Sequence, residues 1–342
     1  MSIGFQIYRE MTNVQLEITD NMKKGQVIRD ITLDDYNVDP TNCGTRAIAE
    51  LFPGFKHQDI RTSGAVIRLR HGGSGPPLLL LHGNPENHVS WYKVASRLAE
   101  SYHVVIPDLR GYGDSSLPEP GDNHINFSFR EMALDMVEVM ATLGYEEFYV
   151  AGHDRGGRTV HRMCIDHPER ILKVCLMDVL PNHFVWNNTS KDWVVRTWHW
   201  GFMAQPAPLP ERMISAVSAE FFLTSRMVIR GGTGLGFLTE DALNEYIRCY
   251  TLKTITGSCN DYRATATCDL EMDTADKDKN VIQPLLLVWG AKGQSEERSQ
   301  AFVDVWHGYA DNIIDADPLQ CGHYIQEEVP DQIYDHFTKF FR

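Results

Sequence analysis

The sequence predicts an α/β protein with a mostly parallel, doubly wound sheet and an inserted helical cap. Two observations lead to this prediction. Short apolar runs, which suit strands buried on both faces, alternate with stretches of helical periodicity. The alternation stops between Pro181 and about Cys268, where aromatic, helix-like sequence replaces the apolar runs, and it resumes at Ile282. An insertion between two strands of one sheet explains this gap.

The predicted strands are short apolar runs. The first, Ala65–Leu69, alternates in polarity, as a half-buried strand does. The later runs are mostly continuous, as in strands covered on both faces. They are Leu78–Leu81, His103–Pro107, Phe148–Ala151, Val174–Met177 and Pro284–Val288.

The predicted helices show apolar residues three and four positions apart, which places them on one face. In Ser90–Ala99 this face carries Trp91, Val94, Ala95 and Leu98. The same spacing predicts further helices over Phe129–Leu143, Arg158–His167 and Glu296–Trp306, with a last helix around Asp331–Phe341.

These elements predict four segments along the 342 residues. Residues 1–48 are polar and weakly periodic, and form a predicted N-terminal extension. Residues 49–180 and 276–342 are the two parts of the predicted core, and residues 181–275 are the predicted helical cap. Such a length suits one large domain with an insertion.

Composition excludes several classes of partner. The chain has 32 Lys and Arg against 46 Asp and Glu, a net charge of −14, with no basic cluster. Nucleic acids and anionic membranes both require clustered basic residues, so neither is an expected partner. Seven scattered cysteines without a CxxC pair predict a cytoplasmic protein without a disulfide framework or a metal site.

The sequence Gly152-His153-Asp154-Arg155-Gly156-Gly157 follows a predicted strand and precedes a predicted helix. Small residues around a central acid are typical of a nucleophile elbow, a tight turn that exposes its middle side chain. Asp154 is therefore the candidate nucleophile. The alternative is a glycine-rich turn in which Asp154 only caps a helix.

Three other positions suit the groups that such a nucleophile needs. His82-Gly83-Asn84-Pro85 follows the strand Leu78–Leu81, where an oxyanion-binding loop is expected. Gly322-His323 lies late in the chain, and His323 is the candidate base. Asp178 ends the run Lys173–Met177 and is the candidate acid that orients this histidine, although a capping role is the alternative.

The chain resembles the α/β-hydrolase superfamily, and within it the haloacetate (fluoroacetate) dehalogenases, from about Leu51 to Phe341. The resemblance rests on the motifs above and on short segments elsewhere in the chain. These are Leu51–Phe55, Asp108–Gly113, His199-Trp200, Gln205–Pro210 and Asp261-Tyr262-Arg263. The family implies an α/β-hydrolase fold, a small halo acid as substrate, hydrolysis through an aspartyl ester without metal or cofactor, and a possible homodimer.

Two arginines beside Asp154 suggest how an acid would be recognised. Arg155 and Arg158 are three residues apart, so they can share a helix face and clamp a carboxylate. The alternative is that either pairs with a structural carboxylate. The resemblance implies that His199, Trp200 and Tyr262 bind the halide. The backbone N–H groups of Asn84 and Arg155 would form the oxyanion hole.

The sequence leaves competing functions open. Asn84 stands where an aromatic residue is typical of fluoroacetate dehalogenases, which leaves pocket size and preferred halogen undecided. An epoxide hydrolase would use the same triad with cap tyrosines as acids, and Tyr246, Tyr250 and Tyr262 are available. A non-catalytic ligand-binding protein of the same fold is a third reading, although its triad would typically be damaged.

Overall fold

The computed structural model of this chain describes residues 50–231, 234–292 and 296–342, so the predicted extension 1–48 lies outside the described residues. Within these ranges, eight strands form one sheet in the order β1-β2-β4-β3-β5-β6-β7-β8. Their bounds are β1 Lys56–Arg61, β2 Val66–Gly72, β3 Pro77–Leu81, β4 His103–Pro107, β5 Phe148–His153, β6 Ile171–Met177, β7 Leu285–Gly290 and β8 Ile313–Leu319.

The pairing of these strands confirms the predicted fold class. The six strands β3 to β8 all run parallel to one another. Strand β2 is antiparallel to both of its neighbours, β1 and β4. Sequence analysis did not predict β1 and β8. Both are edge strands. Most positions of β1 are polar, and Asp315, Asp317 and Pro318 interrupt β8, so neither shows the apolar run of a buried strand.

The central strands explain why the sheet is covered on both sides. In β3, Leu78 and Leu80 pack into one hydrophobic cluster, and Leu79 and Leu81 pack into the other. All four leucines are fully buried. Side chains alternate between the two faces of a strand, so a run of four leucines fills two cores at once. This is the physical meaning of the continuous apolar runs in the sequence.

Helices cover both faces and fill the insertion. The core helices are α1 Tyr92–Leu98, α2 Phe129–Thr142, α3 Arg155–Asp166, α12 Glu296–Trp306, α13 Ile325–Glu328 and α14 Pro330–Phe340. Those between β6 and β7 are α4 Asn182–Asn187, α5 Lys191–Arg196, α6 His199–Met203, α7 Leu209–Ser215, α8 Ala219–Gly231, α9 Glu240–Cys249, α10 Leu252–Ala266 and α11 Cys268–Ala275. The described elements of the predicted cap are therefore helical.

Two further features bear on the predictions from composition. Within the described ranges, no helix is both long and apolar enough to cross a lipid bilayer. The cysteines that the structure describes, which exclude Cys43, are all buried free thiols.

Candidate active site

Asp154 occupies the tight turn between β5 and α3. Its φ of 48° is unusual for a residue with a side chain and marks a strained backbone. Glycines make room for this turn. A Cβ on Gly152 would lie 2.5 Å from the carbonyl oxygen of Gly156, and one on Gly83 would lie 2.6 Å from Cβ of Asp154. The turn therefore has the geometry of a nucleophile elbow.

The structure brings the three predicted triad residues together. Nε2 of His323 lies 3.6 Å from Oδ2 of Asp154. Nδ1 of His323 forms a short hydrogen bond with Oδ2 of Asp178, and because an ionised carboxylate only accepts, Nδ1 is the protonated nitrogen. The backbone N–H of Gly290 donates to the other oxygen of Asp178 at 3.2 Å. Nε2 is thus left facing Asp154.

The loop after β3 approaches the candidate nucleophile from the other side. The backbone N–H of Asn84 donates to Oδ1 of Asp154 at 3.1 Å. His82 holds this loop, since its Nε2 accepts the N–H of Leu109 at 3.0 Å and its Nδ1 donates to the Gly83 carbonyl at 2.8 Å. Burial lowers the pKa of His82, in agreement with this neutral, structural arrangement. Arg155 begins α3, so its N–H lies at the start of a helix.

A second histidine supports the loop that carries His323. Nδ1 of His153 bonds Oε2 of Glu86 at 2.9 Å, and Nε2 donates to the backbone carbonyl of His323 at 2.7 Å. Burial by itself would lower the pKa of His153, but the Glu86 carboxylate outweighs it and the pKa is raised. An imidazolium can donate from both nitrogens and fits both partners. Sequence analysis did not identify this pair.

The predicted clamp arginines both lie beside Asp154 on α3. The guanidinium of Arg155 is fully buried and forms an ion pair with Asp261, with Nε donating to Oδ2 at 2.8 Å. Its Nη1 has no hydrogen-bond partner within the described ranges. Arg158 donates to the Leu180 carbonyl at 2.7 Å, and its Cζ lies 4.7 Å from the centre of the Trp200 ring. Asp261 thus already balances the charge of Arg155.

Replacing Asp261 with Asn should destabilise the protein strongly. The substitution leaves the buried guanidinium of Arg155 without a counter-charge, and such a loss costs about 3–5 kcal/mol. We expect urea unfolding to report a decrease of that size in the free energy of unfolding.

Asp278→Asn is the matched control, because Asp278 is exposed and the same change there should alter stability by less than about 0.5 kcal/mol. Equal midpoints for Asp261→Asn and the wild type would mean that the ion pair contributes nothing to the fold.

The predicted halide ligands form an aromatic cluster near the arginines. The rings of His199 and Tyr262 are 5.6 Å apart and those of Trp200 and Tyr262 are 5.8 Å apart. The Tyr262 hydroxyl is buried and has no hydrogen-bond partner in the described part of the chain. Burial also raises the pKa of Tyr262, so this hydroxyl stays protonated and can donate.

Tyr250 and Tyr246, the other two candidate acids of an epoxide hydrolase, lie in different parts of the structure. Tyr250 stacks on Phe222 at 5.7 Å, and its buried hydroxyl has no hydrogen-bond partner in the described ranges. Tyr246 instead interacts with the buried carboxylates of Glu327 and Glu86, on the far side of His153. Tyr250 and Tyr262 are thus the pair available near Asp154.

Arg226, on α8, is a site residue that sequence analysis missed. The residue is 3% exposed, and its guanidinium donates from Nη1 to the side-chain oxygen of Asn84 at 2.5 Å. The sequence carries no signal for this contact, since Arg226 lies in an ordinary amphipathic helix, far along the chain from Asn84.

A cavity of about 390 Å³ opens beside the triad. Asp178 and Arg158 line it together with the rings of Trp193, Trp200 and Trp289. The side chain of Asp178 is 21% exposed, which agrees with its position in the cavity wall. The cavity reaches Asp178 and Arg158, whereas Asp154 and His323 do not line it.

Among the described residues, the one group with ligand atoms suitably close for a metal ion comprises Asp114, Glu245 and Cys249. Arg248 lies among them and forms ion pairs of 2.6 Å with both carboxylates. The negative charge of this group is thus already balanced by a guanidinium.

Comparison with known proteins agrees with this geometry. Residues 76–224 match the α/β hydrolase fold family. The chain is 40% identical to a fluoroacetate dehalogenase of Burkholderia sp, over 82% of this chain and 92% of that one. It is 27% identical to a soluble epoxide hydrolase of Corynebacterium sp. (strain C12), over 83% and 96%. A crystal structure of a Nostoc sp PCC 7120 protein assigned to the α/β hydrolases superposes with a TM-score of 0.80 at 42% identity, covering 84% of this chain and 98% of that one.

Proposed function

The chain belongs to the haloacetate dehalogenase family of α/β hydrolases, and from this premise we propose that it hydrolyses the carbon–halogen bond of short 2-halo carboxylic acids. One observation most directly supports attack on a substrate carbon by a carboxylate. A strained aspartate, rather than a serine, stands at the elbow with a histidine 3.6 Å away and a backbone N–H on its carboxylate. For a haloacetate the products are glycolate and halide.

In the first step Asp154 attacks the carbon that bears the halogen. A bond forms between a carboxylate oxygen and carbon, the carbon–halogen bond breaks, and its electron pair leaves with the halide. Asp154 can reach such a carbon because its side chain projects from the turn between β5 and α3. No proton needs to move in this step.

In the second step water hydrolyses the aspartyl ester. His323 takes a proton from water through Nε2, the nitrogen that faces Asp154, while Asp178 stabilises the imidazolium through Nδ1. The resulting hydroxide attacks the carbonyl carbon of Asp154. The backbone N–H of Asn84, already on this carboxylate, and that of Arg155 would hold the oxyanion. When this intermediate collapses, the bond between the Asp154 carbonyl carbon and the alkoxide oxygen breaks, and His323 returns its proton to the departing glycolate.

Guanidinium groups next to Asp154 suit an anionic substrate. Arg158 lies against Trp200, and Nη1 of Arg155 is a buried donor with no partner among the described residues. Both lie on α3 with Asp154 at its start, so a carboxylate held by them would place the neighbouring carbon near the nucleophile. His199, Trp200 and Tyr262 would then donate to the departing halide.

An epoxide hydrolase is the second candidate. Tyr250 and Tyr262 have buried hydroxyls without hydrogen-bond partners in the described ranges, and two such groups could protonate an epoxide oxygen. Relatives named epoxide hydrolases match at lower identity than the dehalogenase does. That reaction gives no role to the arginines on α3, which is why we favour the halo acid.

Substrate turnover separates the two candidates. We expect halide and proton release from fluoroacetate and chloroacetate, and little reaction with styrene oxide. Fluoroacetamide, which lacks the charge that the arginines would bind, should react much more slowly than fluoroacetate. Halide electrodes and a pH-stat measure these rates.

Three other outcomes of these assays would each contradict a different part of the proposal. Turnover of styrene oxide alone would replace the dehalogenase with an epoxide hydrolase. Equal rates for fluoroacetate and its amide would remove the carboxylate clamp, and no reaction with any of the compounds would favour a ligand-binding protein.

A homodimer and a cytoplasmic location are further proposals that rest on the family resemblance and on the cysteine pattern. Light scattering on the purified protein would report twice the mass of the chain if the dimer forms.

A further inference from the structure

Arg226 is linked to the candidate nucleophile through Asn84. Its Nη1 donates to the side-chain oxygen of Asn84, and the backbone N–H of the same asparagine donates to Asp154. The other side of the Asn84 amide is occupied as well, since Nδ2 donates to Oγ of Ser258 at 3.1 Å. Nδ2 also donates to the Tyr112 hydroxyl at 3.4 Å, so Asn84 holds Arg226 in place and has no amide hydrogen left for a ligand.

Among the described residues, Arg226 forms no ion pair with a carboxylate, unlike three other buried arginines. Arg155 pairs with Asp261, Arg110 with Asp135 at 2.6 Å, and Arg263 with Glu211 at 2.7 Å.

Within the described ranges, Arg226 contacts the Asn84 amide, Sδ of Met203 at 4.0 Å and the ring of Phe222. Its Nε is buried with no hydrogen-bond partner there. A buried guanidinium with no carboxylate in hydrogen-bond contact is costly, so this place suits a bound anion.

Two tyrosine hydroxyls lie near this guanidinium. The side chains of Tyr262 and Tyr250 interact electrostatically with Arg226, as does Asp154. Neither hydroxyl has a hydrogen-bond partner in the part of the chain that the structure describes. Three unused donors thus come from the segment between β6 and β7, whereas Asp154 comes from the sheet.

The position of these donors relative to Asp154 indicates that the anion they bind is the departing halide. In a displacement, the leaving group departs on the side of carbon opposite to the attacking oxygen. Asp154 attacks from the sheet side, so the departing halide moves toward the donors of the insertion. The arginines on α3 start beside the nucleophile, although their guanidinium groups reach the rings of Tyr262 and Trp200 at the edge of the insertion.

We propose that Arg226 is a catalytic residue that donates to the departing halide together with Tyr262, held in place by the side chain of Asn84. The proposal rests on the proposed dehalogenase function and deepens it. As Asp154 forms its bond to carbon, the halide takes the electron pair of the broken bond, and Arg226 balances the new negative charge. Fluoride carries the most concentrated charge and gains the most from a charged donor, so Arg226 favours defluorination.

Arg226→Met should impair reaction with fluoroacetate most. Loss of one preorganised donor to a developing anion costs about 10²–10³-fold in kcat. We expect a decrease in that range for fluoroacetate, about tenfold for chloroacetate and less for bromoacetate, with little change in KM. Arg226→Lys, which keeps the charge and packs more easily, should restore part of the fluoroacetate rate.

Arg212→Met is the matched control, because Arg212 is an exposed arginine on α7 of the same insertion. It should leave all three rates unchanged. An equal decrease of kcat for the three acids in both Arg226 variants would overturn the proposal. A raised KM with unchanged kcat would also overturn it, because it would make Arg226 a ligand of the carboxylate.

A binding measurement keeps this inference separate from the proposed function. Bromide should quench tryptophan fluorescence of the Asp154→Asn variant by binding near Trp200, and adding Arg226→Lys should weaken that binding at least about tenfold. This outcome supports the anion site even if no halo acid is turned over by the wild type. Equal bromide binding with and without Arg226, or none in Asp154→Asn, would overturn it.

Discussion

Asp154→Asn is expected to abolish halide release from fluoroacetate. An amide nitrogen and oxygen cannot displace fluoride from carbon, and loss of a catalytic nucleophile costs at least about 10⁴-fold in kcat in comparable enzymes. The fold should survive, since Asn has nearly the same shape and can still accept the N–H of Asn84 through its side-chain oxygen. Fluoride release under saturating substrate measures the loss, and circular dichroism reports the fold.

Asp278→Asn, on the surface, should retain the wild-type rate. Because slow hydrolysis of an Asn side chain beside His323 would regenerate Asp, intact mass should be measured before and after the assay. Full activity of a variant that still carries Asn by mass would show that the elbow does not supply the nucleophile.

His323→Asn is expected to stop the reaction at the ester. Asp154 can still displace halide, because that step needs no proton transfer, but water is no longer activated by a base. Removal of a general base costs about 10²–10⁴-fold, so the ester should accumulate. Mass spectrometry should show one added carboxymethyl group per chain after incubation with chloroacetate, and peptide mapping should place it on Asp154.

A burst of one equivalent of chloride, followed by very slow turnover, is the matching kinetic result. His307→Asn, an exposed histidine on the surface, should turn over normally and carry no adduct. Unmodified His323→Asn after prolonged exposure to a substrate that the wild type consumes would contradict a two-step mechanism through an aspartyl ester.

Local sequence patterns were enough to predict most of the sheet and the order of its helices. Continuous apolar runs such as Leu78–Leu81 identify strands buried on both faces, and the structure places them near the middle of the sheet. The edge strands β1 and β8 were missed for the same reason, since a strand with one neighbour and a solvated face lacks such a run.

Charge pairing was beyond the reach of those patterns. Arg155 and Asp261 are 106 positions apart, and Asn84 and Arg226 are 142 apart. Sequence spacing indicates which residues share a helix face, but not which distant carboxylate neutralises which guanidinium. The pairing of Arg155 with Asp261 is the alternative that the sequence left open, and it directs attention to Arg226.

The sequence by itself determined the α/β fold and the aspartate at the elbow, because both depend on periodicity and on small residues within a few positions. Only the tertiary structure brought Asp178, His323 and Asp154 into one line, with His153 and Glu86 behind them. The tertiary structure also determined which buried arginine is paired with a carboxylate. The reason is physical: burial and close contact between distant segments set the electrostatics of a site, and these exist only once the chain is folded.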